Sequence, residues 1–505
     1  MHHPAAACVL GLCAVVLLFT SETTADTASK PIPLKAGFAE TDITPQGRME
    51  NPGGYHKVFM HQTHDPCKVR AAVFDDGKKR VALVGVDALI VPRQLVQDAR
   101  ARIHDKCGIP PEAVLIGASH SHTSGPIGLV QPGQYDGASE LVRFLAYKRS
   151  SCANPAYLKR VTDQIVEAVC LADGKRADVL AGVDLGHEDK VAFNRRFRMK
   201  NGQTWTHPGK RNPEIVEVAG PIDPDVGVIG VWDKKGTLLG CVVNYALHGT
   251  TGAPGWSANW IYDMERMIRK ATGPEVIVVF LNGYCGDVTQ FDNLSPYPTI
   301  NSRVVGGRLG AEVAKVLTSM NRGAMGPVAA NRKVWNIARR RPSPKKVAQA
   351  LEAANRDRDK LGTWQKETLM LDALAAKQPE VEVEVQAIQI GPAVFVTNPA
   401  ETFVQYGLDL KKQSPFKYTF PVGLANGCVG YVPTQEAMGE RGGGYETRLT
   451  SYSNLKVTGG DQMHKAGLEL LGKMQPGNAP TPRELPPQAP QTKPWSYGNV
   501  PPEID

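Results

Sequence analysis

From Lys35 onward, short runs that are apolar or alternate apolar with polar residues are interleaved with stretches whose apolar residues return every three or four places. That interleaving predicts strands and helices in turn. The stretch "VRAAVFDDGKKRVALVGVDAL" predicts a hairpin turning at Asp76 and Gly77, with its second arm ending at Asp87. A helix follows over Arg93–Lys106, then a short buried strand, Ala113–Ile116, which runs into "GASHSHTSGP". Ala156–Leu171 carries a clear amphipathic helical pattern. A second hairpin, "VGVIGVWDKKGTLLGCVVNYALHG", turns at Lys234–Gly236 and ends on His248. After it come a helix near Ala258–Ala271, the apolar strand "EVIVVFLNG" and a helix over Val304–Met320. Residues 344–376 read as a charged surface helical hairpin with no assignable chemistry. "EVEVEVQAIQI" alternates acid and valine as a sheet with one wet face should, and "AVFVTNPAE" reads as another strand. No internal repeat is visible. The fold class is therefore α/β, one large domain over residues 33–475 with central mixed sheets and helices outside.

The ends differ from this body. Ala5–Phe19 is apolar, too short to span a bilayer comfortably, and is followed by "TTA" before Asp26. Residues 1–26 read as a signal peptide, a retained membrane anchor being the alternative, and export to a secreted or periplasmic location follows. Residues 476–505 are a proline-rich tail. Beyond the signal, Cys67, Cys107, Cys152, Cys170, Cys241, Cys285 and Cys428 contain no CxxC pair, so zinc ribbons and fingers are not indicated. Export permits one to three disulfides among them, with the pairing open. The net charge of +8 is mild, and "RRFRMK" and "RRRPSPKK" are isolated basic clusters, so nothing suggests a nucleic-acid partner.

Candidate chemistry gathers where apolar runs end. His120 and His122 lie two places apart, and share a face if strand geometry persists that far. His248 ends "CVVNYALH", Glu401 ends "AVFVTNPAE", and Asp287 sits in the glycine-bracketed "NGYCGDVTQF". Each also has a structural reading: His248 as a hydrogen-bonded interior histidine, Glu401 as a charge at a helix N-terminus, Asp287 as a turn cap. Taken together, two imidazoles and a carboxylate at separate strand ends are the ligand types of a catalytic zinc.

"GASHSHTSGP", "NYALHGTT", "LNGYCGDVTQ", "NPAETF" and "NGCVGYVPT…GGGYET", in this order, together with the opening "FAETDITPQG", resemble the catalytic domain of the neutral/alkaline ceramidase family over residues 35–475. The resemblance implies a zinc-dependent hydrolase of the N-acyl bond of ceramide, with His120, His248, Glu401 and Tyr431 as zinc ligands. It places His122, Arg195 and Tyr445 around the scissile carbonyl, with a lipid or small-molecule substrate that could be met at a membrane surface. Attack by zinc-activated water would use Arg195 and Tyr445 to stabilise the oxyanion and His122 to carry a proton to the leaving amine.

The sequence departs from the family at several places. Thr289 in "GDVTQF" replaces the serine of GDVSPN, so its hydroxyl would orient neighbours rather than act as a nucleophile. Ile127-Gly128 stands where the family has a glycine pair. The tail is too short for the family's C-terminal immunoglobulin-like domain, which is not expected here. A zinc hydrolase of another amide or ester, and a secreted binding protein without catalysis on the same scaffold, remain as alternatives; oligomeric state is open.

Overall fold

Three times the chain makes an antiparallel hairpin, crosses over by a helix, and returns as a strand parallel to the hairpin's second arm. The first unit is Lys68–Asp75 and Arg80–Val86, helix Arg93–Cys107, then Val114–Ala118. The second is Asp225–Trp232 and Leu238–Tyr245, helix Trp260–Thr272, then Ile277–Asn282. The third is Glu380–Ile390 and Ala393–Thr397, helix Val404–Gln413, then Tyr418–Val422. A sequence without visible repeats thus uses one topology three times, because a parallel pair requires a crossover and each crossover helix buries one face of its strands. The computed structural model describes residues 32–481, with residue 1, residue 498 and residues 501–504; the signal segment and most of the proline-rich tail lie outside the described residues.

The first two units join through Leu34–Asp42 and Ala177–His187 into an eight-stranded mixed sheet, and the third forms a four-stranded sheet with Val328–Ala338. Packing brings the sheet's two halves together: a Cβ on Gly85 would lie 2.4 Å from the backbone oxygen of Phe280 in the opposite half. The third unit is stitched to the others at their strand ends. Ala118 N–H donates to Leu424 O at 3.1 Å, Asn426 N–H to Ile116 O at 2.8 Å, and Gly423 N–H to Asn282 O at 3.0 Å. Asn426 holds a left-handed φ of 62° there, its Oδ1 accepting from Ile116 N–H at 3.0 Å. The C-terminal ends of the three parallel pairs consequently meet, which is where α/β sheets gather ligands.

Two expectations are corrected. The wet face of "EVEVEVQAIQI" stops at Glu382: the Glu384 side chain is fully buried, with Arg100 at 2.8 Å, Arg93 at 2.7 Å and Arg332 at 3.3 Å around it. Helix Arg93–Cys107 covers that face, and a carboxylate goes under it only because guanidinium groups come with it. The hairpin of Pro344–Arg356 and Thr363–Lys377 is present but is more than surface. Lys366 and Glu367 are buried, Lys366 Nζ donating to Ser150 Oγ at 2.8 Å and Glu367 accepting from Ser451 Oγ at 2.5 Å. Cys107 and Cys170 form a disulfide between the ends of helices Arg93–Cys107 and Pro155–Gly174. The other five cysteines of the described residues are free. No helix among the described residues is long and apolar enough to cross a membrane.

A buried charge cluster ties the first two units together. Arg70 donates to Asp87 at 2.8 Å and to Glu265, which also meets Lys68 at 3.0 Å and Arg269 at 2.7 Å. Burial alone would raise the Glu265 carboxyl, but Arg70, Lys68 and Arg269 pull it from its ordinary 4.5 down to about 2. A carboxyl whose folded value is depressed stabilises the fold above its unfolded value and loses that contribution as pH falls through the folded one. We therefore expect Glu265 to contribute about 3 kcal/mol at neutral pH, lost progressively between about pH 4.5 and pH 2. Urea unfolding of the protein beside Glu265→Gln should give a stability gap that narrows over that window; a gap independent of pH would refute the assignment.

Candidate metal centre

The strand that leads to the first histidine ends at Ala118, and His120 takes a left-handed φ of 61°. The two histidines therefore do not share a strand face by alternation, as the sequence suggested; a turn after the strand brings them together, with ring centroids 4.7 Å apart. Ser121 N–H donates to Ala88 O and His122 N–H to Gly249 O, fixing the loop between the first and second units. Gly249 makes this possible, since a Cβ there would lie 2.6 Å from His120 O.

All three imidazoles are aimed by main-chain carbonyls. His120 Nδ1 lies 2.9 Å from Leu89 O, His248 Nδ1 3.0 Å from Val288 O, and His122 Nδ1 3.2 Å from Gly53 O. A carbonyl can only accept, so each proton sits on Nδ1 and each Nε2 presents a lone pair. Those lone pairs converge. His122 Nε2 is 3.2 Å from His120 Nε2, and the Nε2 atoms of His120 and His248 are each 3.1 Å from Glu401 Oε2. Burial holds His122 well below its ordinary value and, with Arg195 and His120, lowers His248 to about 4. Glu401 Oε2 is accordingly a buried oxygen that receives no hydrogen bond, facing two nitrogens that carry no hydrogen.

Such a convergence of lone pairs on one carboxylate oxygen suits a bound cation. Donor atoms held about 2.0–2.1 Å from a tetrahedral metal lie about 3.3 Å apart, close to the spacings here. His120, His122 and His248 form a group able to hold a metal ion. Glu401 is held from behind by Tyr452, whose hydroxyl donates to Oε1 at 2.8 Å, and it closes against Gly286, where a Cβ would lie 2.3 Å from Glu401 O.

Arg195 forms the other wall. Its Nε donates to Glu446 Oε1 at 2.7 Å, and its Nη2 donates to Gly286 O at 2.7 Å and to the Tyr431 hydroxyl at 3.2 Å. Its Nη1 lies 3.5 Å from His248 Nε2. The Tyr445 ring packs 5.4 Å from that of Tyr431, and Tyr55 and Trp364 each stand 6.3 Å from Tyr445. Asp287 stays apart from the imidazoles: its carboxylate accepts from Val404 N–H at 2.9 Å, at the start of helix Val404–Gln413, and from Asn194 at 2.8 Å. Thr289 Oγ1 accepts from Phe291 N–H at 3.3 Å, and no hydrogen bond joins it to a histidine or to Glu401.

No protein-family model and no curated protein matches the sequence. Among solved structures, neutral ceramidase from Pseudomonas aeruginosa superposes with a TM-score of 0.64 at 16% identity, over 89% of this chain and 77% of that one. A ceramidase complexed with C2 gives a TM-score of 0.62 at 16% identity, with the same coverage. The chain has the neutral ceramidase fold. On that fold the histidines and Glu401 lie at the ends of the parallel pairs, as the strand-end reading of the sequence anticipated, and the α/β class with mixed sheets and outer helices holds. Sequence reasoning missed Tyr452 behind Glu401 and Glu446 behind Arg195. Glu446 was legible in part, as an acid in "GGGYET" that could answer the paired arginines of "NRRF". Nothing in "TSYSNL" marks Tyr452.

Proposed function

We propose that the protein is a zinc-dependent hydrolase of the N-acyl bond of ceramide or a related N-acyl lipid, with His120, His248, Glu401 and Tyr431 as ligands. The observation that carries this reading is the convergence of two unprotonated Nε2 atoms on the unpaired Glu401 Oε2. Zinc at that place supplies Lewis acidity and makes water available as a nucleophile at neutral pH. The chain supplies the rest. Arg195, clamped by Glu446 and Gly286 O, presents a fixed cation beside Tyr431, where charge develops on the carbonyl oxygen. Tyr445, whose ring packs beside Tyr431 and Arg195, would add a hydroxyl donor to the same place. His122, half-buried with its Nδ1 held by Gly53 O, offers Nε2 to move a proton to the leaving amine. Thr289 acts on the loop alone, next to Val288, whose carbonyl orients His248.

An apolar substrate finds support in the aromatic residues beside Tyr445. The Tyr55 ring lies 5.7 Å from Trp364, which is 37% exposed and stacked under Arg448 at 4.0 Å. Incubation with acyl-labelled N-acyl-sphingosine, with metal analysis of the same sample, tests the proposal. Release of labelled fatty acid by a zinc-loaded chain is expected; a metal-loaded chain that cleaves only esters would overturn the substrate, and a chain that takes up no metal would overturn the whole reading.

A further inference from the structure

A cavity of about 980 Å³ includes Tyr452 and Cys428 in its wall, while none of the three imidazoles, Arg195, Tyr431 or Tyr445 lines it. Tyr452 is thus a partition, with Glu401 on its hydroxyl and this second space along its body. The remaining walls come from helices Arg93–Cys107, Pro155–Gly174 and the end of Thr363–Lys377, with Gln131–Gln134 between them. Leu95, Leu129, Leu158, Leu374 and Val429 give it an apolar surface.

Its charges do not balance. Asp98 is the only carboxylate in the lining, against Arg93, Arg102, Lys159, Arg339 and Lys377. Arg93 is answered by Glu382 and Glu384, and Arg102 and Lys159 share Asp163. Arg339 and Lys377 have no carboxylate partner among the described residues. They sit at one corner: Arg339 Nε donates to the carbonyl of Gln378, the neighbour of Lys377, at 3.1 Å, and Nη1 donates to Asn454 at 2.7 Å. Burial works against the charge on Arg339, so an arriving anion would relieve a cost already present in the fold.

An apolar space of ligand size with cations at one corner is the complement of an amphiphilic anion. We propose that this cavity binds a long-chain carboxylate, with its head on Arg339 and Lys377 and its alkyl chain along Leu374, Leu129 and Leu158. The site does not depend on the metal chemistry proposed above, although a fatty acid would also be a product of that reaction.

Fluorescence titration of the full chain with 11-(dansylamino)undecanoic acid tests it, before and after treatment with EDTA. Saturable binding that survives EDTA is expected, displaced by dodecanoate and at least about tenfold less well by dodecanol. Lys377→Gln, at an exposed residue, should weaken binding several-fold, and Leu158→Glu should weaken it further by repelling the carboxylate; neither should alter metal content. The absence of saturable binding, or equal competition by dodecanol, would overturn the proposal. So would binding that is lost in Glu401→Gln yet unchanged in Lys377→Gln, because the probe would then occupy the metal centre.

Discussion

His120→Ala should yield a folded chain that no longer holds its metal and hydrolyses N-acyl-sphingosine at least about 10³-fold more slowly. The magnitude follows from removing a Lewis acid worth several kcal/mol of transition-state stabilisation, each 1.36 kcal/mol being about tenfold in rate. His120 is held at 2.9 Å by Leu89 O and contributes one of the two lone pairs that meet Glu401 Oε2. Its loss leaves His248, Glu401 and Tyr431 as an incomplete set. The carbonyl of Leu89 also loses its donor, a cost of about 1–3 kcal/mol that a domain stable by about 5–15 kcal/mol survives. Metal analysis after dialysis, thermal unfolding and turnover are measured on one preparation. Full metal occupancy and full turnover in the variant would show that the cluster is an ordinary packed histidine group.

For His122→Ala the expected result is different in kind: kcat falls about 10²- to 10⁴-fold while the metal stays bound, since a general acid–base group is lost and the ion is not. The geometry makes this a sharp test, because His122 Nε2 is as close to His120 Nε2, at 3.2 Å, as a ligand would be. Proton transfer by His122 predicts that one limb of the pH–rate profile disappears in the variant and that metal content is unchanged. Loss of metal together with activity would instead make His122 a ligand, in place of Tyr431 or alongside it. Arg195 and Tyr445 are untouched by this substitution, so its residual rate reports what they and the metal achieve without a proton carrier.

The hairpins at 68–86 and 225–245 and their crossover helices were legible because apolar periodicity is a local signal, set by which side of a strand or helix faces the core. Local pattern failed where a distant partner changed the cost of burial. Glu384 reads as the next residue of a solvated face, yet three arginines from outside its strand make its burial tolerable. Lys366 and Glu367 read as a helix surface and are buried for the same reason. The site divides in the same way. His120, His248 and Glu401 could be suspected because each follows an apolar strand, but the turn at His120, with its φ of 61°, could not be read from the residue type.

By itself, the sequence determined that strands alternate with helices, where each apolar run stops, and which side chains able to hold a metal or move a proton stand just beyond those stops. The tertiary structure decided that three such stops meet at one place, which tyrosine holds Glu401, and which glutamate, 251 residues away, clamps Arg195. Periodicity records the energetics of neighbours along the chain. The pairing of groups far apart in sequence is fixed only when burial removes water and each buried charge or lone pair must find its partner within about 3 Å.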